Sequence, residues 1–282
     1  MAFERFFRVQ PVAKGYTGPL SLFESPMPAF LVSYDHYLLA AFALFGTLGA
    51  AALMLYLAHK SRFAVVIRQY RGLSPPFVNV VGVLFALTLA FLANDTWNAH
   101  DRAVNAVYHE AGALRSILAL AAPLPAPQRQ AVTQAVRSYA DSAVHQEWPL
   151  LAHRQSSEQT AQAMAFLLET LAGSDMAATV SPAIHAEMLR QAVVARDARE
   201  SRIALSKTHV NPLKWLGMAF LGLLTMISIA MVYVDQPKAE ILAIALFAAA
   251  AAPTAAIVLV QGNPFQPPSA ASAAPIASLS SG

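Results

Sequence analysis

The chain contains no cysteine, which excludes disulfides, zinc–thiolate centres and thiol nucleophiles. Charge is scarce too: Asp, Glu, Lys and Arg make up 12% of 282 residues, about half the share in a typical soluble protein. There is no Gly-rich phosphate loop, no Gly-x-Ser-x-Gly and no paired-carboxylate motif. The histidines of the middle region are His100, His109, His145, His153 and His185. They include no i, i+4 pair able to hold one metal from a single helix turn. These absences point away from an enzyme, a cofactor or a metal site. The sequence pI of 9.3 comes with a net charge of only +3; it reflects an arginine excess and implies no nucleic-acid partner.

What is present is apolar. Hydrophobic residues are 56% of the chain and the mean hydropathy is +0.46, which implies a lipid bilayer as surroundings. Four runs approach the roughly 17–25 residues that a span requires: Tyr37 to Ala58, Phe77 to Ala93, Trp215 to Val234 and Ile241 to Val260. Tyr37, Tyr56, Trp97, Trp215 and Tyr233 stand near their ends, as interfacial aromatics do. The runs hold no Asp, Glu, Lys, Arg or His, which argues against proton-coupled transport. It leaves a pore open, because hydrophobic constrictions can gate by dewetting. Ile241 to Val260 is rich in small residues, which suits close packing, and Pro253 is expected to kink it.

The resulting division is an N-terminal segment (1–36), two spans (37–93), a soluble insert (94–210), two further spans (211–260) and a tail (261–282). In the first segment, Phe3, Phe6 and Phe7 could lie in a membrane surface with Arg5 and Arg8 outside it. The tail is dominated by Pro, Ser and Ala and carries no charge, so it is expected to be disordered.

The insert reads as helices only, with no period-two alternation and no internal repeat. Val104, Val107, Ala111, Leu114 and Leu118 share one helix face, which Trp97 extends backwards. A second helix from Gln128 carries Val136 and Tyr139 and should stop near Glu147-Trp148-Pro149. A third, from Ser157 to Ala172, carries Met164, Leu167, Leu168 and Leu171; a fourth opens at Ser181-Pro182 and runs without Pro or Gly through Val210. The expected fold is an all-α membrane protein with four transmembrane helices and a helical-bundle insert between spans two and three. Between Pro76 and Leu120 no proline occurs, and only Gly82 and Gly112 interrupt helix-compatible sequence. Span two should therefore run unbroken into the insert, projecting roughly 40 Å beyond Ala93 at ~1.5 Å per residue.

Two sets on that helix are candidate pore-lining residues. Gly82, Phe85, Leu89 and Leu92 share a face and could form a dry neck in a ring of subunits. Asn94, Asn98, Asp101 and Asn105, somewhat rotated around the helix, could line a wet vestibule. Asn and Asp are poor helix formers where Lys and Glu would serve better. The plain alternatives are packing against lipid or span three for the first set and a solvated face for the second.

The stretch from Pro75 to Ala152, with its "EAGALR" and Glu147-Trp148-Pro149 elements, resembles the bestrophin-like domain family of bacterial membrane proteins, and more remotely the bestrophin anion channels. The resemblance implies a homo-oligomer, a pentamer as in the bestrophins, that conducts inorganic anions. It also implies a span-two neck, a bacterial inner-membrane location and a cytoplasmic insert. Two features depart from it: no Asp or Glu follows Glu240, so an acidic calcium clasp is lacking, and the family's "RPF" element reads Asn263-Pro264-Phe265. Basic residues do not decide orientation. Lys60, Arg62, Arg68, Arg71 and Lys238 lie on one side; Arg102, Arg196, Arg199, Arg202, Lys207 and Lys214 lie on the insert side. The alternative function is a non-conducting membrane scaffold or sensor whose insert binds a partner.

Overall fold

The computed structural model describes residues 35–60, 75–207, 212–267 and 269–280. Phe3, Arg5, Phe6, Phe7 and Arg8, and the expected cap at Asn211, lie outside the described residues. The elements are α1 (Asp35–Lys60), α2 (Pro75–Ala121), α3 (Ala126–Ser142), a π-helical turn (Ala143–Glu147), α4 (Trp148–Ala152) and α5 (Glu158–Ala172). After these come α6 (Ser174–Thr179), α7 (Pro182–Ser206), α8 (Pro212–Val232), α9 (Pro237–Val260) and α10 (Ala274–Ser280). Helices α1, α2, α8 and α9 are long and apolar enough to cross a membrane. The all-α fold and the order of spans and insert are as expected.

α2 is a single helix of 47 residues, about 70 Å long at ~1.5 Å per residue. It leaves the membrane without a break because the change from apolar to polar side chains does not disturb its backbone hydrogen bonds. Thr88 satisfies its own hydroxyl by donating to the Leu84 carbonyl, 2.8 Å away. In the membrane part α2 lies along α8, and α1 lies along α9. Gly222 on α8 permits the first approach: a Cβ there would sit 3.2 Å from the Phe85 ring. The alanines of α9 permit the second, with Ala248, Ala251, Ala252 and Ala255 all buried. Pro253 lies inside α9, which remains one helix.

The ends of the membrane helices sort into two levels. Tyr37 at the start of α1 donates to the Pro267 carbonyl, and Trp97 on α2 donates to Gln261 just after α9. His59 at the end of α1 meets Glu240 at the start of α9. The insert and the chain after α9 thus share one side.

The insert is a helical bundle in which the upper part of α2 packs along α7, and α3 along α5. Val107, Leu114, Val136, Tyr139, Leu167 and Leu171 are at most 1% exposed, and Val104 packs at the edge of the same core. Ser157 caps α5, its side chain accepting from the Thr160 N–H at 3.2 Å.

Three expectations are corrected. Trp97 does not extend the core face; it is exposed. The second insert helix does not stop at Glu147-Trp148-Pro149, but continues through the π turn into α4. Pro149 falls in the first turn of α4, where a missing N–H is tolerated, and the wider π turn accommodates it. The tail is not disordered: Phe265, Ala271, Ile276 and Leu279 are buried in the insert core. Composition misled there. The small tail residues lie closely on a preformed apolar surface, so the tail needs no core of its own.

Candidate functional site

α2 has two faces through its whole length. One is turned to the subunit's own helices. Phe85 and Leu92 are buried there at 9% and 7% exposure, Leu89 is partly buried beside them, and the Phe85 ring lies 5.2 Å from that of Phe247 on α9. Gly82 is partly buried. This face continues upward through Ala103, Val107, Glu110, Leu114 and Ile117. The other face is open. Val80, Leu84, Leu87 and Phe91 are each at least half exposed. Asn94, Asn98, Asp101, Asn105 and Tyr108 follow them, also exposed. These nine positions advance by alternating steps of four and three.

The structure therefore separates the two expected sets. Asn94, Asn98, Asp101 and Asn105 are in line with Val80, Leu84, Leu87 and Phe91, not with Gly82, Phe85, Leu89 and Leu92. Within the subunit, Phe85 and Leu92 fill the contact with α8 and α9. Sequence periodicity could not select the open face, since both faces of α2 are apolar inside the membrane.

The insert holds a second constellation, sealed from water. Glu110 on α2, Glu147 in the π turn and Arg202 on α7 are fully buried, and Arg199, one turn before Arg202, is nearly so. Arg202 bridges the two acids: its Nε and Nη2 donate to Glu110 at 2.9 and 3.0 Å, and Nη2 donates to Glu147 at 3.0 Å. Arg199 donates to both oxygens of Glu147 and to the Ser157 carbonyl. The Tyr139 hydroxyl donates to Glu110. Burial first, and then the Glu110 charge, push that hydroxyl well above the usual tyrosine value, though Arg202 opposes them. For Arg202, burial acts to lower the value, but Glu110, Tyr139 and Glu147 raise it further and keep the guanidinium charged. Trp148 covers Arg202, with the ring centroid 5.1 Å from the guanidinium carbon. Two acids balance two arginines, so the cluster is neutral and joins α2, the π turn and α7.

The tail is fastened to this cluster. Phe265 meets Trp148 edge-on at 5.6 Å. Asn263 donates to the Leu151 carbonyl at 3.2 Å and accepts from the Phe265 N–H at 3.0 Å. Arg115 donates to the Pro275 carbonyl and the Ser278 hydroxyl. The "EAGALR" stretch thus supplies both the buried Glu110 and the tail-binding Arg115.

Two polar contacts mark the ends of the membrane helices. Lys214 Nζ lies 2.6 Å from Asp95 on the insert side; on the far side, His59 Nε2 lies 3.7 Å from Glu240. Glu240 is buried, and its Oε1 has no partner among the described residues. The apolar runs themselves hold no ionisable group, but α1 also includes His59 and α9 also includes Lys238 and Glu240. The helices run past the apolar runs that mark them in sequence. The orientation count changes as well. Arg199 and Arg202 are buried in ion pairs and cannot meet lipid headgroups. Arg102, Arg196, Lys207 and Lys214 remain on the insert side, and Lys60 and Lys238 are the described basic residues at the other ends of the membrane helices.

The sequence matches the model of the Bestrophin-like domain over residues 41–276. No curated protein matches it. Among solved structures it is similar to point mutants of a bacterial bestrophin homologue from Klebsiella pneumoniae. One superposes with a TM-score of 0.63 at 12% identity, covering 85% of this chain and 96% of the other. A second gives 0.60 at 12% identity, covering 86% and 96%.

Proposed function

This chain belongs to the Bestrophin-like domain family, and from that premise we propose that it is a homo-oligomeric ion channel whose α2 helices surround a central pore. The observation that carries the reading is the open stripe of α2 from Val80 to Tyr108. Its alternating steps of four and three average 3.5 residues, the period of helices that supercoil left-handedly around a shared axis. Val80, Leu84, Leu87 and Phe91 form the dry neck. Asn94, Asn98, Asp101 and Asn105 form the wet vestibule beyond it. The stripe keeps one angular position as it passes from apolar to Asn-rich, which suits a helix that lines a single axis from neck to vestibule.

The assembly is a pentamer, by analogy with bestrophins, and sits in the bacterial inner membrane with the insert in the cytoplasm. Inorganic anions are the conducted species. Asn94, Asn98 and Asn105 offer amide N–H donors, and Asp101 is the one acid of the vestibule. Conduction requires no catalytic step, so the chain is not an enzyme.

Planar-bilayer recording of the purified oligomer tests this. Leu87→Ala and Phe91→Ala widen the neck and raise single-channel conductance, whereas Phe85→Ala acts on stability instead. An oligomer of confirmed size that is silent both as wild type and as the Leu87→Ala/Phe91→Ala variant sinks the channel reading and favours the scaffold.

A further inference from the structure

We propose that each subunit holds a phospholipid from the insert-side leaflet in the cleft between α1 and α8. The cleft has a volume of about 660 Å³. Its walls are almost wholly apolar, and the hydroxyl of Thr47 is already bonded to the Ala43 carbonyl at 2.6 Å. Phe85 and Phe247 are part of the lining.

Depth and position identify the occupant. The α1 wall runs from Leu39 to Ala50 and the α8 wall from Trp215 to Met226; each covers about 16 Å at ~1.5 Å per residue. Half of a roughly 30 Å hydrocarbon core is about 15 Å. Both walls start at the insert-side ends of their helices and stop near mid-membrane, so the cleft is one leaflet deep. Tyr37, Lys214 and Trp215 stand at its upper end, the residue types that meet headgroups. Lys214 uses one donor on Asp95, and an ammonium has further protons for a lipid phosphate.

A second copy of the chain is the competing occupant. Phe85 lines the cleft, and it lies on the face of α2 turned away from the Val80–Leu84–Leu87–Phe91 stripe. This step rests on the proposed pore axis: a ring built on the open stripe puts the cleft on its outer side, against lipid.

The absence of cysteine permits a clean test that does not involve conductance. Gly46→Cys labelled with a benzophenone maleimide places the probe in the cleft, where a Cβ at Gly46 would meet no atom of another described element within 4 Å. Illumination in phosphatidylethanolamine/phosphatidylglycerol vesicles should give a phospholipid adduct by mass spectrometry. A subunit–subunit adduct instead, or no adduct to lipid, overturns the proposal. Retention gives a second readout. In a Trp97→Phe background, Trp215 should stay quenched when protein from vesicles of brominated phospholipid is solubilised in detergent and its bulk lipid is removed by dilution into excess unlabelled lipid–detergent micelles. Gly46→Leu and Ala219→Leu fill the cleft, and should lower the retained quenching at least fivefold with helix content unchanged. Complete loss of quenching in the wild type on dilution means ordinary bulk lipid and also overturns it. The lipid result stands or falls separately from any current measurement.

Discussion

Glu147 binds two guanidiniums in a site that water does not reach, and this makes it the most sensitive side chain of the insert. Its loss would leave Arg199 without its carboxylate and Arg202 with only Glu110. Breaking a buried ion pair from one side costs about 3–5 kcal/mol, so Glu147→Ala should destabilise the insert by that amount in chemical denaturation followed by circular dichroism. Tyr139 gives a pH signature. Its folded proton affinity is raised above the unfolded value of 10.0. The folded state therefore keeps a proton that the unfolded chain releases. The associated stability is complete below that pH and is lost as pH rises above it. Tyr139→Phe should remove this alkaline loss. At neutral pH it should also cost about 1.5–3 kcal/mol for the hydrogen bond to a charged acceptor, as melting curves from neutral to strongly alkaline pH would report. The sequence makes both acids visible, Glu110 in "EAGALR" and Glu147 before Trp148. The pairing was not legible, because Arg199 and Arg202 read as ordinary basic residues until α7 is laid along α2.

At the scale of elements, legibility followed contrast. In the insert, apolar and polar residues alternate around each helix, and the core residues from Val107 to Leu171 are readable from spacing alone. Within the membrane nearly every position of α2 is apolar, so spacing groups residues by face but does not say which face meets a neighbouring helix. The inward side is set instead by fit: Phe85 needs the gap left by Gly222. The tail shows the opposite failure. It has too little apolar content to fold alone, yet Phe265, Ile276 and Leu279 complete a core that others have built. Phe265→Ala should cost about 3 kcal/mol, the lower end of the range for a buried Phe. It should also make residues 261–280 sensitive to limited proteolysis, with the four membrane helices intact. Unchanged protease resistance would show that Asn263 and Arg115 hold the tail without the ring.

For the whole molecule, the family was legible in the stretch from Pro75 to Ala152, and the architecture in the order of apolar runs and insert. Orientation was not: a count of basic residues presumes that they are free to meet headgroups, and two of those on the insert side are not. Cysteine scanning settles it without background reactivity. Ser138→Cys on the insert and Gln236→Cys in the turn between α8 and α9 are both exposed positions, and they report opposite sides. With the insert in the cytoplasm, a membrane-impermeant maleimide applied to intact cells should label Gln236→Cys and spare Ser138→Cys. The reverse pattern would move the insert outside.

The unbroken course of α2 has a mechanical consequence. A helix without a joint behaves as a shaft: torque applied at its upper end, where Glu110 and Arg115 engage α7 and the tail, is delivered at Leu87 and Phe91 with little taken up between. Turning the shaft by one residue's arc, about 100° at 3.6 residues per turn, would replace the open stripe with its neighbours. Much smaller turns would already change which edge of Phe91 points outward. In the proposed pore, an element that docks against the insert would thus set the aperture from a distance, by rotation alone.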